Sequence, residues 1–376
     1  MTLAIISHTE HYKTADGVIV GWGPTIQEIN YLAPHFSEIV HVAFLHEGTP
    51  PPSALPYTKS NISFVALPPQ GGTTWASKLS LLWKLPKTIG KVRKVLRNVD
   101  AFQLRTPTGM GVYLIPYLTL FSKKKGWFKY AGNWNQQNAP LGYALQRWML
   151  KNQKRTVTIN GSWEGQPQQC LTFENPCLTH TERDLGKQTI QQKKYEGPFT
   201  YCFVGRLEDG KGVQRILDAF TLLKDLKGVS AVHFIGDGEK KNHYMEFVKQ
   251  NNLPVHFHGF LKRDKVFDIY KKSHFLLLPS TASEGFPKVI AEAMNFGAIP
   301  MVSNVSSIGQ YINEENGYIT HPVTAEVLAA QLAETFTSKS EALKEKATKA
   351  YETASGFTFE RYNERITGEI LHMKQL

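Results

Sequence analysis

Residues 200–224 have the sequence TYCFVGRLEDGKGVQRILDAFTLLK, in which an aromatic and β-branched run precedes a glycine-rich turn and an amphipathic stretch. The pattern predicts a strand over Thr200–Val204, a loop over Gly205–Gly212 and a helix that begins at Val213. The same order recurs through the rest of the C-terminal half. Alternating strands and helices with short turns favour parallel pairing through right-handed crossovers, so we expect a doubly wound α/β domain.

The other predicted elements extend this plan over the whole chain. In the C-terminal half, further strands are predicted at Ala231–Ile235, Val255–His258, Phe275–Leu278 and Ile299–Val302. The predicted helices are Val213–Lys224, Lys240–Asn251, Asp264–Lys272 and Pro287–Phe296. In the N-terminal half, strands are predicted at Leu3–Ser7, Ile39–Leu45, Ile62–Leu67, Ala101–Leu104, Phe128–Ala131 and Thr156–Ile159. We therefore expect a second Rossmann-like domain there.

The boundary between the two domains is predicted near residue 190. Asn175-Pro176-Cys177 and the polar stretch Thr179–Gly197 have few apolar residues, which is typical of a connector. The domains are then 1–190 and 191–356. Residues 357–376 are predicted to form a helix that can pack back on the N-terminal domain, with Phe359, Tyr362, Ile366 and Ile370 on one face.

Composition limits the possible classes of protein. The chain has 376 residues, 41% of them hydrophobic, which suffices for two cores. The apolar run after Met1 is too short to span a bilayer and has no basic flank of a secretion signal. The three cysteines, Cys170, Cys177 and Cys202, lack metal-ligand spacing, so we expect reduced thiols and a cytoplasmic protein.

The net charge of +11 indicates an anionic partner, such as nucleic acid, an acidic membrane or a phosphorylated ligand. The sequence contains none of the helix-turn-helix, zinc-finger or aromatic RNA-binding signatures. This absence argues against nucleic acid.

Three loops that follow predicted strands carry unusual residues, and ligands bind beyond the carboxyl ends of the strands in open parallel sheets. In the first loop, Gly205–Gly212, Arg206 and Lys211 could neutralise a diphosphate with help from the amides of the following helix. An exposed turn with two solvated cations explains the same residues. The motif alone does not decide between the two.

The second loop leads into the predicted helix at Pro287, whose fixed φ suits a first helical turn. Glu284 precedes this helix and Glu292 lies about two turns inside it. Their separation along the axis is roughly 12 Å, comparable with the span from the sugar of a nucleotide-sugar to its ribose. The alternatives are a helix-capping acid for Glu284 and a helix-surface acid for Glu292.

The third loop, Gly236-Asp237-Gly238-Glu239, has two acids that could in principle hold a metal ion on a diphosphate. A strand-to-helix turn needs the same residues, with glycines for backbone geometry and acids near a helix start. We favour the turn and expect no metal.

Taken in order, these segments resemble the retaining glycosyltransferases of the GT-B fold, in family four of that classification. The matching segments lie within residues 198–320: Phe203–Leu207 with Lys211-Gly212, Phe234–Gly238, Phe257–Phe260, Leu278–Ser280, Glu284–Pro287 and Glu292–Met294. The resemblance implies two Rossmann-like domains that face each other across a cleft.

The resemblance also implies roles for individual residues. Arg206 and Lys211, in the loop that opens with Gly205, would hold the donor diphosphate. Glu284 would orient hydroxyls of the transferred sugar, and Glu292 would bind the ribose. Backbone amides that follow Glu284 would contact sugar and phosphates, with Gly285, Phe286 and Pro287 forming the donor-binding segment. Gly259 and Phe260 would lie beside the base. Catalysis would rest on Glu284, Arg206 and Lys211.

The N-terminal half departs from the family pattern. Where family members often carry a histidine, this chain has Tyr130–Trp134 in one loop and Arg105 in another. The expected function is transfer of a sugar from a nucleoside-diphosphate sugar to an acceptor hydroxyl of a glycan or a lipid-linked glycan, without a cofactor. A sugar-nucleotide epimerase and a non-catalytic nucleotide-sugar-binding protein are the alternatives.

A basic segment extends from Lys78 to Arg97 and contains no acid. Leu85, Ile89, Val92 and Leu96 recur in it at helical spacing, and 123–129 adds a second basic cluster with two aromatics. One interpretation is a helix that packs on the N-terminal sheet with solvated lysines. The other is a dock on an anionic membrane, which would make the protein peripheral at the inner face of the membrane.

Overall fold

The computed structural model describes residues 1–70 and 75–373, with side chains described outside 75–82. The chain divides into two compact units. The first unit comprises Met1–Glu174 and the residues from Phe359 onward, and the second comprises Asn175–Thr358.

The sheet of the first unit contains nine strands among the described residues. They are β1 (Thr2–Lys13), β2 (Ile19–Trp22), β3 (Glu38–Leu45), β4 (Ala54–Pro56), β5 (Ile62–Leu67), β6 (Ala101–Thr106), β7 (Lys125–Tyr130), β8 (Val157–Ile159) and β9 (Cys170–Thr172). Seven of them pair in parallel in the order β5-β3-β1-β6-β7-β8-β9, and the short β2 and β4 add an antiparallel edge to the extended end of β1.

Helices cover both faces of this sheet. They are α1 (Gly23–Leu32), α2 (Trp75–Arg97), α3 (Gly111–Phe121) and α4 (Leu141–Lys151). Alternate residues of β1 point to opposite faces, because side chains alternate along a strand. Ala4 and Ile6 join the core under α2, α3 and α4, whereas Leu3 and Ile5 join the core under α1.

The sheet of the second unit is wholly parallel over its six described strands. They are β10 (Phe199–Val204), β11 (Val229–Ile235), β12 (Val255–Gly259), β13 (Phe275–Leu278), β14 (Ile299–Ser303) and β15 (Tyr318–Thr320). Their order, β12-β11-β10-β13-β14-β15, is the 3-2-1-4-5-6 order of the Rossmann fold. The prediction of two Rossmann-like doubly wound domains is therefore confirmed.

The helices of the second unit are α5 (His180–Gln192), α6 (Val213–Thr221), α7 (Lys241–Gln250), α8 (Arg263–Lys272), α9 (Lys288–Asn295), α10 (Ala325–Thr337) and α11 (Ser340–Ala354). The α6 helix packs between α7 and α10, and α9 packs against α5, α8 and α11. The described helices include none with the length and apolar character of a membrane span.

The prediction of a connector over Thr179–Gly197 was wrong. Most of this stretch is α5, which belongs to the second unit. The boundary along the chain therefore falls between Glu174 and Asn175 rather than near residue 190. Thr179 caps α5 by accepting from the Glu182 amide, and the Glu182 carboxylate accepts from the Thr179 amide in return. The buried residues of this helix are Arg183, Gly186 and Ile190. Most of its other side chains face solvent, which is why its sequence is polar.

The chain returns to the first unit through α12 (Phe359–Arg365), which continues as a π-helical turn over Ile366–Ile370. The Tyr362 hydroxyl donates to Glu28 Oε1 at 2.8 Å. Glu28 also accepts from Lys129 Nζ and Arg105 Nη2, both at 2.7 Å. Arg105 is therefore committed to a buried ion pair that fastens α1, β6 and β7 together.

Four buried or half-buried side chains of the first unit form a chain of hydrogen bonds in which each donor and acceptor can be assigned. His11 Nδ1 lies 3.0 Å from the Thr9 carbonyl, which can only accept, so His11 Nε2 accepts from the Tyr57 hydroxyl at 2.9 Å. Tyr57 in turn accepts from His41 Nδ1 at 2.7 Å, and His41 Nε2 accepts from Ser7 Oγ at 2.8 Å. Burial lowers the pKa of His11 to about 4 and that of His41 well below its ordinary value, so both rings are neutral.

Candidate functional site

The strand order of the second unit changes direction between β10 and β13. From β10 the chain builds outward through β11 and β12, and it then returns to the other side of β10 with β13. Ligands bind at such a switch point in open α/β sheets, beyond the carboxyl ends of the two strands. The loops that leave these two ends are 205–212 and 279–287, which contain most of the predicted site residues.

Backbone contacts hold the two loops together. The Gly210 carbonyl accepts from the amides of Thr281 at 2.9 Å and Ala282 at 3.1 Å. Gly212 has a φ of +86°, and a Cβ there would lie 2.4 Å from the Pro279 carbonyl oxygen. Only glycine fits this approach, so the turn Asp209–Gly212 is fixed against the end of β13.

Lys211 and Glu284 meet across this contact. Lys211 Nζ donates to Glu284 Oε1, which joins the loop after β10 to the loop after β13. Their side chains are 18% and 34% exposed, so the pair is reachable from solvent yet partly shielded. The structure thus brings together two residues that were selected separately from the sequence.

Arg206 follows the end of β10 and extends into solvent. Its side chain is 75% exposed, and Nε lies 3.4 Å from a carboxylate oxygen of Glu208. The backbone before Arg206 packs closely on the neighbouring loop, because a Cβ on Gly236 would lie 1.9 Å from the Gly205 carbonyl oxygen. Arg206 can therefore swing while its backbone stays in place.

The helix α9 begins at Lys288, with Pro287 as the preceding capping residue and not as the first helical residue that we predicted. It ends at Asn295, one residue before the predicted end. The Phe286 side chain is buried, and its ring lies 4.6 Å from the ring of Phe357 and 5.0 Å from that of Tyr311. At Gly285 and Phe286 only the backbone is therefore suited to contact a ligand.

Glu292 lies within α9 and faces Arg263, a partly buried arginine that was not among the predicted site residues. Arg263 Nε is 3.7 Å from Glu292 Oε1, while the Arg263 Nη atoms donate to Glu182 and to the Cys177 carbonyl. Burial raises the pKa of Glu292, and the positive charges of Arg263 and Lys288 oppose this rise. Glu292 is thus a sheltered carboxylate with the Arg263 guanidinium beside it and the Lys288 charge near it.

The position of Arg263 in the sequence could have indicated that it lies near the candidate site. It is the first residue of α8, directly after the loop that leaves β12, and so it lies at the same edge of the sheet as the other site loops. Gly259 is the last residue of β12, and Phe260 is the first residue of that loop. Gly259 has a φ of +67° and accepts from the Gly236 amide at 2.8 Å, and Phe260 is exposed.

The loop Gly236–Glu239 has the geometry of a turn. Asp237 Oδ1 accepts from the Gly238 amide at 2.9 Å, and Oδ2 lies 3.3 Å from Lys241 Nζ. A Cβ on Gly238 would lie 2.3 Å from the Leu207 carbonyl oxygen, so this turn packs on the loop of Arg206. Within the described residues, no group of three or more histidines, cysteines or acids is placed to hold a metal ion.

The three cysteines, which the sequence predicted to be reduced, are free and buried. Burial raises the pKa of the Cys170 thiol to about 11 and that of Cys202 to about 12. Thiols of this kind are unreactive, so they take no part in the candidate site.

Comparison with known proteins points to the same half of the chain. Residues 186–354 match the family model of glycosyl transferases group 1. The amylovoran biosynthesis glycosyltransferase AmsD of Erwinia amylovora is 28% identical over 137 residues, which are 36% of this chain and 38% of that protein. An uncharacterized glycosyltransferase of Methanocaldococcus jannaschii, MJ1069, is 29% identical over 115 residues, 30% of this chain and 29% of the relative. The matched part spans well under half of either relative.

Solved structures resemble the whole chain. The Anabaena protein Alr3699/HepE in complex with UDP has a TM-score of 0.72 at 14% identity, with 99% of this chain and 100% of that chain covered. Its complex with UDP-glucose has a TM-score of 0.69 at 15% identity and the same coverage. The lipopolysaccharide outer core galactosyltransferase WaaB has a TM-score of 0.69 at 16% identity, with 99% of each chain covered.

The fold is therefore that of the GT-B glycosyltransferases, with two Rossmann-like α/β units. Within that class, the second unit of this chain carries the sequence pattern of glycosyl transferases group 1.

Proposed function

We propose that this protein is a retaining glycosyltransferase that moves a sugar from a nucleoside-diphosphate sugar to an acceptor hydroxyl during synthesis of a cell-surface glycan. The family match over 186–354 supports transfer of a sugar, and the relative AmsD, named for amylovoran biosynthesis, supports a glycan as the product. Complexes of a structural neighbour with UDP and UDP-glucose support a nucleotide-sugar as the donor.

The observation that carries the proposal is the bond between Lys211 and Glu284 at the switch point of the sheet. A diphosphate that enters this edge offers Lys211 a more highly charged partner than the carboxylate. Glu284 is then released to accept from hydroxyls of the sugar. One exchange of partners would place a cation on the leaving group and a carboxylate on the transferred group.

The neighbouring residues fit the remaining parts of such a donor. Arg206 is exposed and can turn onto the diphosphate, whose charge is also opposed by the amides at the start of α9. Glu292 is assigned to the ribose, where a sheltered carboxylate can accept from two hydroxyls. The base is assigned to the loop of Gly259 and Phe260, where an exposed ring can stack on it.

In the proposed reaction, the bond from the anomeric carbon to the diphosphate oxygen breaks while the acceptor oxygen attacks from the same side. Negative charge grows on the departing diphosphate, and preorganised cations that meet it lower the barrier. The departing phosphate oxygen takes the proton of the acceptor hydroxyl. Arg206, Lys211 and the start of α9 supply the positive charge, so the proposal contains no metal ion.

Incubation with a panel of nucleoside-diphosphate sugars tests the proposal, beginning with UDP-glucose. A transferase releases nucleoside diphosphate only with an acceptor or by slow hydrolysis, an epimerase yields an isomeric donor, and a binding protein changes nothing. Proton NMR of the product should show the anomeric configuration of the donor. Inversion would refute retention, and an epimerised donor without release of the diphosphate would refute transfer.

A further inference from the structure

The positive charge of the chain is concentrated in one stretch of the first unit. Residues 48–163 contain seventeen lysines and arginines and a single acid, Asp100, whereas the whole chain has 43 basic and 32 acidic residues. The rest of the chain is thus net negative. Asp100 itself accepts from the amide and the hydroxyl of Thr2, at 2.8 and 3.0 Å.

This stretch includes the helix layer formed by α2, α3 and α4, none of which contains an acidic residue. The three helices share one core, to which they contribute Val92, Leu114 and Leu150 respectively. They follow β5, β6 and β7 in turn, so they lie side by side on one face of the sheet and leave one common outer surface.

The outer surface of this helix layer exposes large apolar side chains. Leu141, Leu145 and Trp148 follow one another at i, i+4 and i+7 along α4, which places them in a single stripe on its outer side. Leu141 is 89% exposed and Trp148 is 62% exposed. Phe121 at the end of α3 and Trp83 on α2 are 75% and 85% exposed. An uncovered stripe of this kind marks an interaction site.

The lysines near this surface divide into two groups. Lys84 and Lys91 donate to the carbonyls of Pro69 and Ala66, both at 2.5 Å, and so serve the fold. Lys87, Lys94 and Lys123 are exposed. The side chain of Lys78, the first residue of the predicted basic segment, lies outside the described residues.

We propose that the outer surface of the α2, α3 and α4 layer docks on a membrane that contains anionic phospholipid. Exposed lysines meet the headgroups, while Trp83, Phe121 and the α4 stripe enter the interface. A soluble polyanion would need the cations but not the apolar stripe, which is the reason for choosing a membrane. The inference does not rest on the proposed donor site, since every residue it uses lies in the first unit.

Co-sedimentation of the full chain with vesicles tests the proposal. We expect binding to phosphatidylglycerol/phosphatidylcholine vesicles at low salt and little binding to pure phosphatidylcholine. Binding should fall steeply between 0.1 and 1 M salt, because the screening length shortens from about 10 Å to about 3 Å. Each basic side chain at such a surface contributes about fivefold in binding, so Lys87→Glu, Lys94→Glu and Lys123→Glu together should weaken it at least about 100-fold.

The matched control reverses the charge of three exposed lysines of the second unit through Lys224→Glu, Lys227→Glu and Lys249→Glu. The net charge changes equally, and we expect most of the vesicle binding to remain. Equal loss in both triple variants would overturn the proposal, as would failure of the wild type to bind anionic vesicles at low salt.

A second variant examines the apolar contribution. Leu145→Ser with Trp148→Ser should weaken vesicle binding about tenfold or more while retaining all of the charge. If this variant binds vesicles as the wild type does, and soluble polyphosphate competes fully, the surface is a polyanion site and the membrane proposal is wrong. Circular dichroism and nucleoside-diphosphate affinity should be unchanged in all of these variants, which separates failure of docking from failure of the donor site.

Discussion

Replacing Glu284 by glutamine should strengthen the binding of the product diphosphate while weakening catalysis. Lys211 Nζ donates to the Glu284 carboxylate, and in the proposed mechanism an incoming diphosphate displaces that carboxylate. Glutamine keeps the shape but removes the charge, which releases Lys211 for the ligand. The same change takes a charged acceptor from the hydroxyls of the transferred sugar.

The size of both effects follows from the exposure of the pair. A hydrogen bond to a charged group contributes about 1.5–3 kcal/mol when shielded. Lys211 is 18% and Glu284 34% exposed, so solvent screening reduces the figure to about 1–2 kcal/mol. Affinity for the nucleoside diphosphate should therefore rise about fivefold to thirtyfold. Turnover should fall about tenfold or more, since the lost contact with the sugar is charge-assisted.

Calorimetric titration of the nucleoside diphosphate and steady-state turnover with the identified donor measure the two effects. Glu208→Gln is the control, because the Arg206 and Glu208 side chains are 75% and 39% exposed and such pairs contribute little. The gain should disappear in a Lys211→Ala background, as a double-mutant cycle requires. Unchanged or weaker diphosphate binding in Glu284→Gln, or normal turnover, would refute this account of the ion pair.

The other predictions concern the donor site and the stability of each unit. Lys211→Ala should weaken nucleoside-diphosphate binding about tenfold to 100-fold in calorimetry, and Arg206→Ala should weaken it less; no change in either variant would place the diphosphate elsewhere. Turnover should survive EDTA, so a loss that magnesium or manganese restores would contradict the proposed mechanism. Arg263→Ala leaves the Glu182 and Glu292 carboxylates without this partly buried guanidinium and should cost about 2 kcal/mol in denaturant unfolding, against little for a surface arginine. Burial lowers the pKa of His11 to about 4 in the folded protein, whereas the unfolded chain has the ordinary value of about 6.5. Below pH 6.5 the unfolded chain therefore binds a proton that the folded protein does not. As the pH falls from 6.5 to 4, about 3 kcal/mol of the free energy of unfolding should be lost. His11→Gln should flatten the stability profile over that window, and an equally steep profile would show that other groups cause it.

The parallel strands could be predicted because their burial leaves a plain pattern in the sequence. Phe275–Leu278 is four apolar residues between polar turns, and its predicted and observed bounds are identical. The strand β1 was predicted to end at Ser7 but extends to Lys13, because a register shift after Ile6 lets its second half pair with β2. That extension depends on a partner strand and not on a local run of residues.

The helix α5 was missed although it has a local signal. Thr179 and Glu182 have the spacing of a reciprocal helix cap, but the polar residues that follow suggested a connector. Polarity was a poor guide because most of this helix faces solvent.

The spatial arrangement of the candidate site residues could be predicted in part. Loops that leave parallel strands were expected at one edge of the sheet, and this rule found Lys211 and Glu284, which are 73 residues apart yet hydrogen-bonded. It could not reveal that the two bind each other before any ligand arrives. Arg263 lies at the same edge by this rule, but it was missed because its partners come from two distant segments of the chain, around Cys177–Glu182 and at Glu292, and no local spacing links them to it.

The bond from Tyr362 to Glu28 constrains the order in which the protein folds during its synthesis. These residues are 334 positions apart, and the entire second unit lies between them in the chain. A ribosome therefore releases all of the second unit before it releases the helix that completes the buried ion pair of the first. Domains commonly fold from the N-terminus as they emerge. Here the unit that starts first must wait, with Glu28, Arg105 and Lys129 short of one partner, until the unit that starts second has been made.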